Sequence, residues 1–129
     1  SPIHCQHTID SHMQRIQAAL MKKGDCIIAI SHTGQSKETL ETVRLAKKNN
    51  AAIIGITSFP LSPLAKLADV ILISTSEETE FRQESLSSRI TQLALLDSLF
   101  TIIMFRMEKE ANISLRRVRE AINQTKTGR

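Results

Sequence analysis

Three apolar runs constrain this chain more than anything else in it: Cys26–Ile30, Ala51–Ile56, and Val-Ile-Leu-Ile within Asp69–Ser74. None of them alternates apolar with polar. A strand that is apolar throughout is buried on both faces, as in a parallel sheet. Between the first two runs, Lys37–Lys48 puts Leu40, Val43 and Ala46/Lys47 on one helical stripe, with Leu45 beside it, and Asn49-Asn50 stops the pattern. Between the second and third lie a loop, Thr57–Ser62, and a short helix through Leu67 with Pro63 in its first turn. The order strand–helix–strand–helix–strand with short links predicts an α/β fold with parallel pairing and right-handed crossovers.

The flanks carry weaker patterns. Residues 3–8, Ile-His-Cys-Gln-His-Thr, alternate weakly and are expected to form a short strand. Ile9, Met13, Ile16 and Leu20 have the spacing of one helical face, capped by Asp10 or Ser11 and ended by Lys22-Lys23-Gly24. Residues 74–84 are polar and acidic and read as a loop. From Ser85 to about Glu108 a long helix is expected, with Leu86, Ile90, Leu93, Leu96, Phe100, Ile103 and Met107 on one side. Leu95, Leu99, Ile102 and Phe105 widen that surface, so the helix is expected to face the sheet on one side and a second subunit on the other. Asn112-Ile113-Ser114 is expected to break it before a last amphipathic helix carrying Leu115, Val118 and Ile122.

A length of 129 residues predicts one domain over 1–129, burying roughly two thirds of its unfolded-chain surface. No apolar stretch approaches the ~18 residues that span a bilayer, and no signal peptide is evident, so a cytoplasmic protein without membrane contact is expected. Cys5 and Cys26 form no C-x-x-C pair and read as two reduced, partly buried thiols. The spacing of His4, His7 and His12 fits no common zinc pattern, so no metal and no cofactor are expected. The net charge of +4 sits wholly at the end: residues 1–105 carry ten basic and ten acidic side chains, and residues 106–129 carry seven basic and three acidic. A solvated helix face explains that excess better than a nucleic-acid contact, because the chain has no Trp or Tyr for base stacking.

The first apolar run ends in Ser31-His-Thr-Gly-Gln-Ser36, directly before the helical pattern. Strand, polar loop, helix is where an α/β protein holds an anion. Ser31, Thr33 and Ser36 offer hydroxyls, Gly34 lets the backbone come close, and the helix start adds free amides. The loop is neither a G-x-x-x-x-G-K-[ST] nor a G-x-G-x-x-G motif, which disfavours a nucleotide. The plain alternative is a strand-to-helix turn with Ser36 as its N-cap.

Asp25–Thr39, then Ala46-Lys-Lys with Ala52–Thr57, then Ser62–Asp69 resemble, in order, three motifs of the sugar isomerase (SIS) domain. Glu78-Thr-Glu-Phe-Arg82 and Ser87–Asp97 are similar to the effector domain of RpiR/MurR-type bacterial transcription regulators. Such proteins join an N-terminal helix-turn-helix domain to a C-terminal SIS domain that senses a phosphosugar. The resemblance implies a three-layer, doubly wound, flavodoxin-like parallel sheet. It places the phosphosugar on Ser31, His32, Thr33, Gly34 and Ser36, with Ser87 and Ser88 closing over it; helix capping is the alternative for those two serines. It also implies two omissions here: the helix-turn-helix domain, and the first SIS strand with its Gly-x-Gly-x-Ser-like loop. The chain is therefore expected to be a piece of a longer protein that contacts DNA only through the missing domain. Unpaired edges would remain for residues 3–8 or a neighbouring subunit to fill.

An SIS isomerase needs a base beside C1/C2 of the sugar, for which Glu78, Glu80, Glu84 and His32 are candidates. Otherwise the glutamates are a solvated acidic loop. Glu80 is the best candidate for a sugar-hydroxyl contact, and His12 reads as a helix-surface residue. A sensor asks only for a bound phosphosugar and a homodimer, or higher homo-oligomer, that responds to it. Asp97, within the apolar helix, is a helix cap, a cross-subunit polar contact or a partly exposed acid. The preferred reading is a phosphosugar-binding effector domain with no catalytic residues; a sugar-phosphate isomerase is the alternative, and a dimerisation module without ligand a third.

Overall fold

The computed structural model describes residues 2–75 and 86–126. It divides into two compact units, one of His7–Leu95 and one of Ser1–Gln6 with Leu96–Arg129. The larger unit holds helix α1 (Ser11–Leu20), strand β1 (Cys26–Ile30), helix α2 (Lys37–Lys48), strand β2 (Ala52–Thr57), helix α3 (Pro63–Leu67), strand β3 (Val70–Ile73) and the start of helix α4 (Leu86–Arg106). The strands form one parallel sheet in the order β1-β2-β3, with Ile28 opposite Ile54 and Ile54 opposite Val70.

Local chemistry explains the boundaries. Asp10 caps α1 by accepting from the Met13 amide at 2.8 Å. Ser36 caps α2 and Ser62 caps α3, the latter followed by Pro63 at the first helical position. Asn49 ends α2, and Asn50 takes the left-handed backbone (φ 61°) that turns the chain into β2. The Asn49 side-chain amide also donates to the carbonyls of Ala18 and Ala19, tying the end of α2 to the end of α1. Leu40, Val43 and Ala46 of α2 pack with Ala29, Ile53 and Leu64 in the core, on one face of the sheet. Gly55 lies on that face too: a Cβ there would stand 2.9 Å from the Ile71 Cδ1 and 3.3 Å from the Leu64 Cγ, so α3 packs close because the residue is glycine.

The α/β class, the parallel pairing and the element order follow the sequence reading, and four details do not. Residues 3–8 form no strand; three of those six residues are His or Gln, and no described strand lies beside β1 for them to extend. Helix α1 ends at Leu20 with Met21 as its C-cap, so Lys22–Gly24 turn into β1 rather than cap the helix; Gly24 (φ 99°) provides the turn. The helical break falls at Met107, not at Asn112–Ser114, and helix α5 runs unbroken over Glu108–Lys126. Asn112 and Ser114 are tolerated because each costs only about 0.7 kcal/mol or less in a helix relative to Ala. Helix α4 also departs from the expected packing on the sheet: its buried residue is Ser88, whereas Leu86, Ile90 and Leu93 are exposed.

Opposite the packed face, Ile28, Ile30 and Val70 lie open, on the side where a doubly wound fold lays its other helical layer. Among the described residues β1 pairs with β2 alone, so its other edge carries unpaired backbone groups. By length and composition α4 is apolar enough to cross a membrane. The sequence reading that no apolar stretch is long enough for this does not hold for α4.

Candidate functional site

All three strands end at one edge of the sheet, and each ends in hydroxyl residues: Ser31 after β1, Thr57 and Ser58 at β2, and Ser74 after β3. In open α/β sheets this edge is where ligands bind. The loop from Ser31 to Ser36 is fastened there. The Ser31 amide donates to the Ile56 carbonyl at 3.0 Å. The His32 carbonyl accepts from the Ser58 amide and from Thr57 Oγ1, each at 3.0 Å. The Leu64 amide donates to the Gly34 carbonyl at 3.1 Å. Gly34 has φ 66° and lies against Ser62, with no room for a side chain.

The hydroxyls that sequence reasoning singled out share one property. Ser31 Oγ accepts from the Gly34 amide at 3.1 Å. Thr33 Oγ1 accepts from the Gln35 amide at 3.3 Å. Ser36 Oγ accepts from Thr39 Oγ1 at 3.1 Å and caps the Thr39 amide. In each case the oxygen is used as an acceptor, which orients the side chain while its own O–H hydrogen is left to donate. The first-turn amides of Lys37 and Glu38 add donors with no acceptor inside the helix. Convergent hydroxyls and helix-start amides suit an anion with several oxygens.

His32 is half-buried and brings further elements together. Its Nδ1 lies 2.9 Å from Ser58 Oγ and 3.0 Å from Ser88 Oγ, and its ring meets Phe59 edge-on at 5.8 Å. Ser58 Oγ donates to the Ser74 carbonyl at 2.6 Å. Thus Ser31, His32, Thr33, Gly34, Ser36 and Ser88 belong to one neighbourhood. Ser87 sits beside Ser88 in the first turn of α4, exposed, its carbonyl accepting from Thr91 Oγ1 at 2.9 Å. Glu80, Glu78 and Glu84 lie outside the described residues. His12 is exposed on α1, and Asp97 is exposed on α4. Among the described residues no cluster of His, Cys, Asp or Glu could hold a metal.

Thr57, Ser58 and Ser74 were missed from sequence because they read as loop and strand-end residues. The available signal was the recurrence of hydroxyls at the end of each apolar run: Ser31, Thr57-Ser58 and Ser74-Thr75.

Known proteins are similar to this chain in sequence and in fold. The HTH-type transcriptional regulator RpiR of Escherichia coli K12 is 38% identical over 115 residues, which make up 89% of this chain and 39% of that protein. The Vibrio vulnificus NanR protein, solved in complex with ManNAc-6P, superposes with a TM-score of 0.79 at 23% identity, covering 92% of this chain and 44% of that one. The sugar isomerase domain of an RpiR transcription factor from Sphaerobacter thermophilus gives 0.69 at 20% identity, covering 84% of this chain and 58% of that one. At these identities the two structures speak for the fold. The chain spans about two fifths of the length of the E. coli regulator (39%). The SIS domain profile matches residues 2–102, and the chain belongs to that family.

Proposed function

We propose that this chain is the phosphosugar-binding effector domain of an RpiR-type transcriptional regulator, and that it carries no catalysis of its own. The observation that carries the reading is the set of hydroxyls at Ser31, Thr33 and Ser36, each turned by a local amide or hydroxyl so that its hydrogen is left for an external acceptor. A phosphate dianion supplies such acceptors. Similarity to RpiR supports the regulatory context, and the NanR complex shows a protein of this fold with a sugar phosphate bound.

His32 and Ser88 then lie where the sugar end of the ligand meets α4, and Glu80 and Ser87 complete the proposed contacts. The regulator works in the cytoplasm as a homodimer or higher homo-oligomer. DNA is contacted by a helix-turn-helix domain outside this chain, and residues outside this chain pair with the open edge of β1, completing a single SIS domain.

The test is a thermal-shift screen of the full-length protein against sugar phosphates, with Ser31→Ala/Ser36→Ala as the control. A ligand at 100 times its Kd adds about 2.7 kcal/mol to stability; the doubly substituted protein should lose that gain. An unchanged shift in the substituted protein would falsify the site. Conversion of aldose to ketose phosphate at enzymatic rates would overturn the non-catalytic reading.

A further inference from the structure

The hydrogen count around His32 leads to a coupling device. Ser58 has one hydroxyl hydrogen, and it points to the Ser74 carbonyl at 2.6 Å. Towards His32, Ser58 Oγ is then an acceptor, which pairs with the tautomer that carries its hydrogen on Nδ1. That single hydrogen has two hydroxyl oxygens within reach, Ser58 Oγ at 2.9 Å and Ser88 Oγ at 3.0 Å. One N–H cannot point well at both, so strengthening one contact weakens the other. The two acceptors differ in kind. Ser58 follows β2 and is braced by β3 through Ser74. Ser88 belongs to α4, whose neighbouring apolar residues Leu86, Ile90 and Leu93 are exposed. A small turn of the imidazole is thus resisted on the sheet side and transmitted on the helix side.

We propose that His32 is a positioning residue through which occupancy of the Ser31–Ser36 loop sets the hold on the first turn of α4. The inference rests on the reading of that loop as a phosphate site. His32 stands between Ser31 and Thr33, whose hydroxyls would grip the anion, so an oxyanion bound there turns the ring about its side-chain torsions while the His32 carbonyl stays fastened to Thr57 and Ser58. The shared hydrogen shifts between Ser58 and Ser88, and α4 is held more or less firmly. Because α4 starts in the larger unit and continues into the other, the change enters a helix that belongs to both.

The test uses full-length protein, inorganic phosphate up to tens of millimolar as the probe, and hydrogen exchange as the readout. The variants are Ser88→Ala, His32→Phe, which keeps a ring against Phe59 but loses Nδ1, and His32→Asn, whose amide N–H falls near the place of Nδ1. In the unsubstituted protein phosphate should slow exchange over residues 33–40 and change it over 86–92. In Ser88→Ala and His32→Phe, compared at phosphate concentrations that give equal slowing at 33–40, the change at 86–92 should vanish, with partial recovery in His32→Asn. A response at 86–92 that survives both variants, or one missing from the unsubstituted protein while 33–40 responds, overturns the coupling and leaves the phosphate site standing. No response at 33–40 in the unsubstituted protein overturns both. Without ligand, the melting-temperature losses of His32→Phe and Ser88→Ala should be less than additive in the double variant; strict additivity overturns the coupling by itself.

Discussion

Thr42 lies on the buried side of α2 with its hydroxyl oxygen out of contact with water and without a hydrogen-bond partner. A buried unsatisfied hydroxyl costs about 1–3 kcal/mol. Thr42→Val, which keeps the branched shape, should therefore stabilise the protein by about 1 kcal/mol in a denaturant melt; a loss of that size would mean the hydroxyl is satisfied after all. Gly34 predicts the opposite sign. At φ 66° and packed on Ser62, an alanine there is both strained and obstructed, so Gly34→Ala should cost about 2 kcal/mol or more and should abolish any phosphosugar-induced thermal shift. Cys26 has its thiol pushed above the usual range, first by partial burial and then by the Asp69 carboxylate. A raised pKa means less thiolate at a given pH, so Asp69→Asn should lower it and speed alkylation of Cys26 near pH 8. An unchanged or slower rate would show that the carboxylate is not felt at the sulfur. What the sequence could reveal at this scale was the local part. Ser31, Gly34 and Ser36 stand out because turns and caps depend on neighbours a few positions away. The partners of His32, namely Ser58 and Ser88, are brought in by strand order and helix placement, for which no short window carries a signal.

Elements with an uninterrupted pattern and a capping residue were legible almost to the residue; α2 and α3 begin and end where stripe, proline and asparagines put them. The α4–α5 junction was not, because Asn112 and Ser114 break a stripe without breaking hydrogen bonding, while the turn at Met107 falls inside the expected apolar helix. Ser36 serves both as the cap of α2 and as a proposed phosphate donor, and one substitution separates these roles. Aspartate caps as well as serine does but repels an anion. Ser36→Asp should hold the unliganded melting temperature within a few degrees and lose the ligand-induced shift. Retention of the shift would reduce Ser36 to a cap. The open edge of β1 has its own signature. The Asp25 carbonyl and the Ser31 amide face β2, so with a period of two residues the Ile27 and Ala29 amides do also, and those of Ile28 and Ile30 point to the unpaired edge. Amide exchange on residues 1–129 should alternate accordingly, fast at Ile28 and Ile30 and slow at Ile27 and Ala29.

Across the molecule, much apolar surface has no partner in the described residues. In the larger unit Ile28, Ile30 and Val70 on the sheet, and Ile9 and Leu20 at the two ends of the α1 stripe, are exposed. In the other unit Phe100, Ile102 and Phe105 of α4 are exposed, as are Ile113, Leu115, Val118 and Ile122 of α5. Soluble monomers rarely carry contiguous apolar patches beyond a few hundred Å². The chain spans 39% of the E. coli regulator it matches, which fits a surface that the rest of a longer protein, and a second copy, would cover. Composition did not expose this, because the apolar share of 41% is ordinary; the imbalance lies in placement, with long apolar helices and strands around a small buried core. Residues 1–129 alone should therefore bind a hydrophobic dye strongly and sediment as concentration-dependent oligomers. The full-length protein should bind the dye weakly and sediment as one defined species. If the chain alone is monomeric at about 100 μM and dark to the dye, these faces are closed in solution, and the proposal that outside residues complete the sheet falls with them.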